Sequence, residues 1–286
     1  MTGPAAGAGG AVPGAGSATR VSPRTLIEAC ISAEGRAELD VVYDLGLALG
    51  LPEQTVRLAL RRMQGEGILE QRGRGRSGHL VLTAQGELRA ERERALVEFA
   101  FAQDRGDISW DGCWRLYGFS VPEHHRAERD GLRRLLTLLG AAQLLPGVYA
   151  TPHDLGSELR RSVAPATLDR YLIVSVSTDL RMPGCETPRD VAERLWPATE
   201  IDAAYERLAA EVHRRPAAAP TGPVAVAARA LELVDALDAA LLADPLLPPE
   251  LLPEGWRPRR LRAEFEAEWT ALREAEPELP VFAWAE

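Results

Sequence analysis

Three arginines alternate with glycines in the segment Arg72–Gly78, which also contains the pattern G-x-G-x-x-G. A dinucleotide site would need the third glycine to open a helix whose N-terminus faces the pyrophosphate. Here the third glycine is followed by His79-Leu80-Val81-Leu82, which is typical of a strand. We therefore interpret the segment as the tip of a β-hairpin that can approach a phosphate backbone closely and carries positive charge. The alternative is an ordinary solvated loop.

The segment Pro52–Glu66, just before the hairpin, has the apolar spacing of a helix. Val56, Leu60 and Met63 form its inner stripe, so the polar residues between them face elsewhere. Glutamine can pair with adenine and arginine with guanine, and each pairing contributes about 1–3 kcal/mol of discrimination. The segment is therefore predicted to be a DNA recognition helix, with a protein-binding surface helix as the alternative. The candidate DNA-contacting residues are Gln54, Thr55, Arg57, Arg61, Arg62, Arg72, Arg74, Arg76 and His79.

The charge distribution indicates the same part of the chain. The 286 residues carry a formal net charge of −9, and all 33 cationic side chains are arginines because the sequence contains no lysine. Residues 51–83 nevertheless hold six arginines against three glutamates, whereas the remainder after them is acidic. The lack of lysine excludes Walker-type phosphate-binding loops and Schiff-base chemistry. One short basic segment in an acidic chain predicts that nucleic acid binds there.

The residues that could form a metal or catalytic site are Asp111, Cys113, His124 and His125. Their spacing matches no zinc pattern, and two adjacent histidines on a helix point about 100° apart. The three cysteines of the chain are isolated in sequence, and no G-x-S-x-G motif is present. We therefore predict a protein that is not an enzyme and has no catalytic residue, metal or cofactor.

Short helices and strands would hold the predicted DNA-binding residues in place. Three helices followed by a two-stranded wing indicate a winged helix-turn-helix domain. The predicted elements are helices over 23–35, 39–49 and 52–66, and strands over 68–70 and 79–82.

Strands and helices alternate in the middle of the chain, which predicts a ferredoxin-like α/β sandwich. The predicted strands are Trp114–Val121, Gln143–Thr151 and Tyr171–Ser177, with helices over 123–139 and 154–162 between them. Further helices are predicted from Pro188, over Ile201–His213 and over 224–243.

The chain is therefore expected to be an α+β multidomain protein. No apolar run approaches the ~18 residues that a membrane span needs, and we expect a cytoplasmic protein. The expected parts are a disordered leader (1–21), a winged helix-turn-helix domain (22–83), a linker or dimer helix (84–108), a ferredoxin-like central domain (109–217) and a small helical C-terminal domain (218–286).

Several sequence strings, taken with this domain order, resemble the PaaX family of bacterial repressors, and the resemblance covers nearly the whole chain after residue 20. The strings are Ser22–Arg24, Trp110–Leu116, Phe119–Glu123, His125-Arg126, Arg129-Asp130, Leu144–Pro152 and Asp244–Pro253 with Trp256. The resemblance implies a homodimer that binds a palindromic operator in double-stranded DNA and is released by an acyl-CoA such as phenylacetyl-CoA. It also implies a central domain similar to a small CRISPR-associated nuclease fold. The family usually has aspartate where this sequence has Ser120.

A CoA ester would need cations for its phosphates. The candidate effector-binding residues in the central domain are Arg115, Arg133, Arg134, Arg160 and Arg161. Their alternative role is as solvated or salt-bridged surface arginines.

Two other functions stay open at this point. One is a metal-dependent nuclease built on the central domain, for which Asp111 is the single nearby carboxylate. The other is an acyl-CoA-handling enzyme in which the winged domain serves only for docking.

Overall fold

The computed structural model describes residues 21–214 and 219–282. The segment predicted to be a disordered leader lies outside the described residues, apart from Val21. Over these residues the protein is an α+β structure with two antiparallel sheets, one of three strands and one of four. Within the described ranges, none of the helices is both long enough and apolar enough to cross a bilayer.

The N-terminal unit, residues 21–82, packs three helices against a small sheet. Ser22 caps the first helix by accepting a hydrogen bond from the Thr25 backbone N–H at 3.0 Å. The second helix packs closely against both the first and the third at Gly46, where a Cβ would lie 3.2 Å from Leu26 and 3.3 Å from Val56. The elements are α1 (Pro23–Ala29), β1 (Arg36–Glu38), α2 (Leu39–Ala48), α3 (Glu53–Gly65), β2 (Leu69–Arg72) and β3 (His79–Leu82).

The sheet of this unit has the order β1-β3-β2 with antiparallel pairing, so the hairpin β2–β3 carries a third strand. The sequence predicted only two strands here. β1 is three residues long, Arg36-Ala37-Glu38, and two of these residues are charged. The sequence therefore has no apolar alternation there that would predict a strand. Its place is fixed by pairing with β3, where Ala37 lies opposite Leu80.

A long helix, α4 (Ala84–Arg105), follows the hairpin at once. Thr83 caps its start by accepting from the Gly86 N–H at 3.1 Å, and Gly106 ends it in the left-handed conformation at φ 83°. The helix packs against both the N-terminal unit and the C-terminal helices, and Ala100 on it is fully buried in the core that they share.

The central unit is a four-stranded sheet whose own helices pack on the face that carries Tyr117 and Tyr149. Its strands are antiparallel at each step and have the spatial order of a ferredoxin-like sandwich: Ala142–Leu145, Val148–Thr151, Trp114–Phe119, Leu172–Ser177. Tyr117 and Tyr149 from the sheet pack against Leu136, Leu155 and Leu159 in a core separate from the main one. The elements are β4 (Trp114–Phe119), α5 (Arg126–Leu138), β5 (Ala142–Leu145), β6 (Val148–Thr151), α6 (Gly156–Ser162), α7 (Pro165–Tyr171) and β7 (Leu172–Ser177).

The prediction of one strand over Gln143–Thr151 was wrong, because the segment forms the hairpin β5–β6. The break is at Pro146-Gly147, where Gly147 has φ 77°. A Cβ at Gly147 would lie 2.5 Å from the Phe119 carbonyl oxygen, so this turn requires glycine.

The C-terminal unit is helical. The prediction of one helix over Ile201–His213 was also wrong, because the chain turns at Tyr205 and forms two short helices. A long final helix follows the Pro-rich stretch, and the sequence interpretation did not include it. The elements are α8 (Pro188–Leu195), α9 (Ala198–Ala204), α10 (Glu206–Val212), α11 (Pro223–Ala243) and α12 (Arg257–Ala275).

Candidate nucleic-acid interface

Helix α3 places its apolar and polar residues as the sequence predicted. Val56, Leu60 and Met63 are buried in the core. Gln54 and Arg57 are exposed on the opposite side, and Arg61 continues the same face one turn further along. Thr55 is half-buried in the first turn, and Arg62 is exposed about 100° around the helix from Arg61.

Tyr43 on α2 connects the helix α3 to the tip of the hairpin. The Arg57 guanidinium lies 5.9 Å from the centre of the Tyr43 ring, and the Arg76 guanidinium lies 5.6 Å from it. Both arginines are therefore attracted to one aromatic ring. Arg57 also pairs with Glu53 at 2.6 Å, and Arg76 pairs with Asp44. This cluster brings the recognition-helix candidate and the hairpin tip together on one surface.

Four other arginines of this surface carry exposed charge. Arg61, Arg62, Arg72 and Arg74 have no ion pair or hydrogen-bond partner for their guanidinium groups among the residues that the structure describes. Unpaired guanidinium groups remain available for phosphates or base edges. We call the six residues Arg57, Arg61, Arg62, Arg72, Arg74 and Arg76 the arginine surface.

The hairpin tip requires its glycines. Gly73 and Gly75 have φ of 84° and 62°, and a Cβ at Gly78 would lie 2.9 Å from the Arg72 carbonyl oxygen. After Gly78 the chain enters β3 instead of opening a helix, so the G-x-G-x-x-G pattern has no helix N-terminus for a pyrophosphate. His79 is half-buried in β3, opposite Arg72 of β2 and Glu38 of β1.

Tyr43 and Asp44 were not among the residues singled out from the sequence. They lie on α2, where the apolar period marks Tyr43 as a core residue, and its ring is indeed mostly buried. Their contacts with arginines 14 to 33 residues later depend on the tertiary packing of α2 against α3 and the tip, which no local signal shows.

The five effector candidates in the central unit do not form one cluster of free cations. Arg115 donates to Asp111 at 2.8 Å and to the carbonyl oxygens of Cys113 and Pro152, both at 2.9 Å. This pairing lowers the pKa of Asp111 and leaves Arg115 largely buried. Arg161 pairs with Glu158 on α6.

The remaining three candidates are exposed but lie in different places. Arg160 is on α6 with Arg161, whereas Arg133 and Arg134 are on α5. Arg133 borders a groove of about 470 Å³ that also contains Tyr149 and the exposed Ser120. Arg126 and Arg129 line the same groove, although Glu123 and Asp130 pair with them.

Asp111 and His125, two of the residues that could form a metal or catalytic site, are each paired with a neighbouring side chain. Asp111 holds Arg115 with both oxygens, and the His125 ring pairs with Glu128 at 2.8 Å. In the described ranges, no group of three or more His, Cys, Asp or Glu side chains is arranged to hold a metal ion. The geometry therefore gives no support to a metal-dependent nuclease at Asp111.

Two family models match the chain. One, described as the PaaX protein central Cas2-like domain, matches residues 107–192, and the other, the PaaX-like protein C-terminal domain, matches residues 196–278. A solved structure of an uncharacterised protein from Mycobacterium tuberculosis has a TM-score of 0.53 and 24% sequence identity to this chain. The likeness covers 93% of this chain and 99% of that chain, and it shows a shared fold. A comparison with curated proteins gives no match.

Proposed function

The chain belongs to the PaaX family, and from this premise we propose that it is a DNA-binding transcriptional regulator that represses its target genes. In this proposal the N-terminal unit is a winged helix-turn-helix domain, α3 is the recognition helix and β2–β3 is the wing. The observation that carries the proposal is the arginine surface, which α3 and the hairpin tip form together around Tyr43.

Charge and shape support DNA as the partner. Helix α3 presents Gln54, Arg57 and Arg61 on one face, and these are the side-chain types that read adenine and guanine in the major groove. The guanidinium groups of Arg72 and Arg74 at the hairpin have no partner among the described residues and would contact phosphates. The rest of the chain is acidic, so its repulsion of DNA would confine binding to the arginine surface.

A palindromic operator requires two copies of this surface. In a homodimer, two recognition helices would enter successive major grooves about 34 Å apart. The helix α4 packs against both the N-terminal unit and the C-terminal helices and shares a core with them. A change in dimer geometry would therefore reach α3 through these packed elements.

An acyl-CoA, with phenylacetyl-CoA as the first candidate, would act as the effector that releases the DNA. The groove beside Arg133 supports this part, because it combines a tyrosine with three arginines in the Cas2-like unit. The ligand can shift DNA binding only by its difference in affinity between the DNA-competent and DNA-incompetent dimers.

Footprinting of the promoter next to the protein's own gene tests the proposal, with and without phenylacetyl-CoA. We expect a protected palindrome, and we expect Arg57→Ala or Arg74→Ala to abolish its protection at moderate salt while circular dichroism shows a folded protein. Arg181→Ala is the matched control, because Arg181 is 85% exposed and pairs with Asp179 in the loop after β7. Equal DNA affinity in the wild type and both surface variants would refute the assignment.

A further inference from the structure

A groove of about 650 Å³ lies where the N-terminal unit, α4 and the C-terminal helices meet. Among the described residues, its walls come mainly from α1, most of the length of α4, α11 and α12, and Ile68, Leu82 and Val281 complete them. The volume is in the range of small-molecule binding sites. None of the residues of the arginine surface or of the effector candidates lines this groove.

One wall of the groove is aromatic and aliphatic. Phe101 of α4 lies 6.2 Å from Phe265 of α12, measured between ring centres, and Phe265 stacks on Trp269 at 5.7 Å and 16°. Val97 and Leu237 extend the same wall. This wall can bury the apolar body of a ligand and offers ring faces that attract a cation.

The charged groups of the groove are mostly carboxylates. Among the residues that the structure describes, two arginines line it, Arg89 and Arg94, against five acids, which are Glu28, Glu93, Glu98, Asp238 and Glu266. Glu28 pairs with Arg24 at 2.8 Å and Glu93 pairs with Arg89 at 2.7 Å. The groove as a whole therefore carries a negative charge.

Three of the groove carboxylates, Glu98, Asp238 and Glu266, are exposed and make no hydrogen bond or ion pair with any residue in the described ranges. Asp238 of α11 is singled out by the carboxylates of Glu28, Glu93 and Asp235, which act on it electrostatically. Desolvation by the surrounding protein, together with the like charges of Glu93, Glu28 and Asp235, raises the pKa of Asp238 to about 7. Asp235 is itself held by Thr25 and Arg207. A carboxylate among other carboxylates is repelled by them, and a cation bound beside it would relieve this repulsion.

We propose that this groove binds an amphipathic organic cation, with an ammonium group at Asp238 and an apolar body against Phe101, Phe265 and Trp269. Charge complementarity selects the ligand class: an anionic ligand such as an acyl-CoA would meet repulsion from the acidic lining, and a neutral one would not relieve the repulsion among the carboxylates at Asp238. The site is independent of the proposed DNA-binding function, since it uses none of the residues assigned to it.

Three probes of one chain length separate charge from apolar burial. Binding of n-octylamine, n-octanol and octanoate to the full chain is measured by titration calorimetry at pH 8, where Asp238 is ionised and octylamine is protonated. We expect octylamine to bind at least about tenfold more tightly than octanol, and octanoate more weakly still. Equal binding of the three probes, or no binding of octylamine, would overturn the proposal.

Two variants locate the site. Asp238→Asn keeps the side-chain shape and should weaken octylamine about tenfold or more without changing octanol. Asp179→Asn is the matched control, because Asp179 is an exposed aspartate in the loop after β7. Trp269→Phe should remove the change in tryptophan fluorescence that octylamine causes in the wild type. Undiminished octylamine affinity in Asp238→Asn, or an unchanged fluorescence response in Trp269→Phe, would place the cation elsewhere and refute the inference.

Discussion

Replacing Asp238 with asparagine should stabilise the fold above pH 7 and leave its stability unchanged near pH 4. In the folded protein the surrounding chain and nearby carboxylates raise the pKa of Asp238 from its ordinary 3.8 to about 7. The carboxylates that raise this pKa are Glu93 on α4, which pairs with Arg89, Glu28 on α1 and Asp235 on α11. Arg94, Glu98 and Glu266 also line the groove around Asp238. Between pH 4 and 7 the folded state therefore keeps a proton that the unfolded state has lost.

The sign follows from that proton. Stability falls with rising pH wherever the native state binds more protons, so the wild type loses stability from about pH 4 to pH 7 and then levels off. The full rise in pKa would correspond to about 4 kcal/mol if the group were completely desolvated. The carboxylate is accessible to solvent, which screens its repulsions, so we expect about 1–2 kcal/mol for Asp238→Asn at pH 8.

Urea unfolding of the wild type and Asp238→Asn at pH 4 and pH 8, followed by tryptophan fluorescence, measures this difference. The control Asp179→Asn should change the free energy of unfolding by less than about 0.5 kcal/mol at either pH. A gain of equal size at both pH values, or a loss at pH 8, would refute the electrostatic reasoning.

Three more results are expected. Gly86→Ala should cost more than about 2 kcal/mol in thermal unfolding, because its Cβ would lie 2.0 Å from the Ile68 carbonyl oxygen, and a normal melting temperature would contradict the close packing of α4 on the hairpin. Arg262→Ala should lower the free energy of unfolding by about 3–5 kcal/mol, since it leaves two carboxylates without their buried partner. The exposed Arg260→Ala is its control and should be within about 0.5 kcal/mol of the wild type. Octylamine affinity should rise between pH 5.5 and 8 as the groove carboxylate ionises, and an affinity independent of pH would exclude that carboxylate as the partner.

Local patterns in the sequence were sufficient for the helix α3 and the hairpin beside it. The stripe Val56, Leu60 and Met63 predicted both the helix and its buried face, and the strand residues after Gly78 excluded a dinucleotide site. These predictions succeeded because periodicity and turn chemistry act over a few neighbouring residues.

Elements defined by distant partners were missed. The strand β1 exists because Ala37 lies opposite Leu80, and the turn in the segment 143–151 places Gly147 against the Phe119 carbonyl oxygen. Neither partner is close in sequence, so the local residue pattern carried too little information for either element.

The sequence by itself determined which charged residues the protein has and where they lie along the chain. The cationic side chains are all arginine, they are concentrated within residues 51–83, and the remainder after them is acidic. Only the tertiary structure decided how these charges are used. It paired Arg115 with Asp111, placed Arg57 and Arg76 around Tyr43, and placed Asp238 among other carboxylates in a groove with an aromatic wall. The physical reason is that a charge is stabilised or left unsatisfied by groups within a few ångströms, and folding brings those groups together from distant parts of the chain.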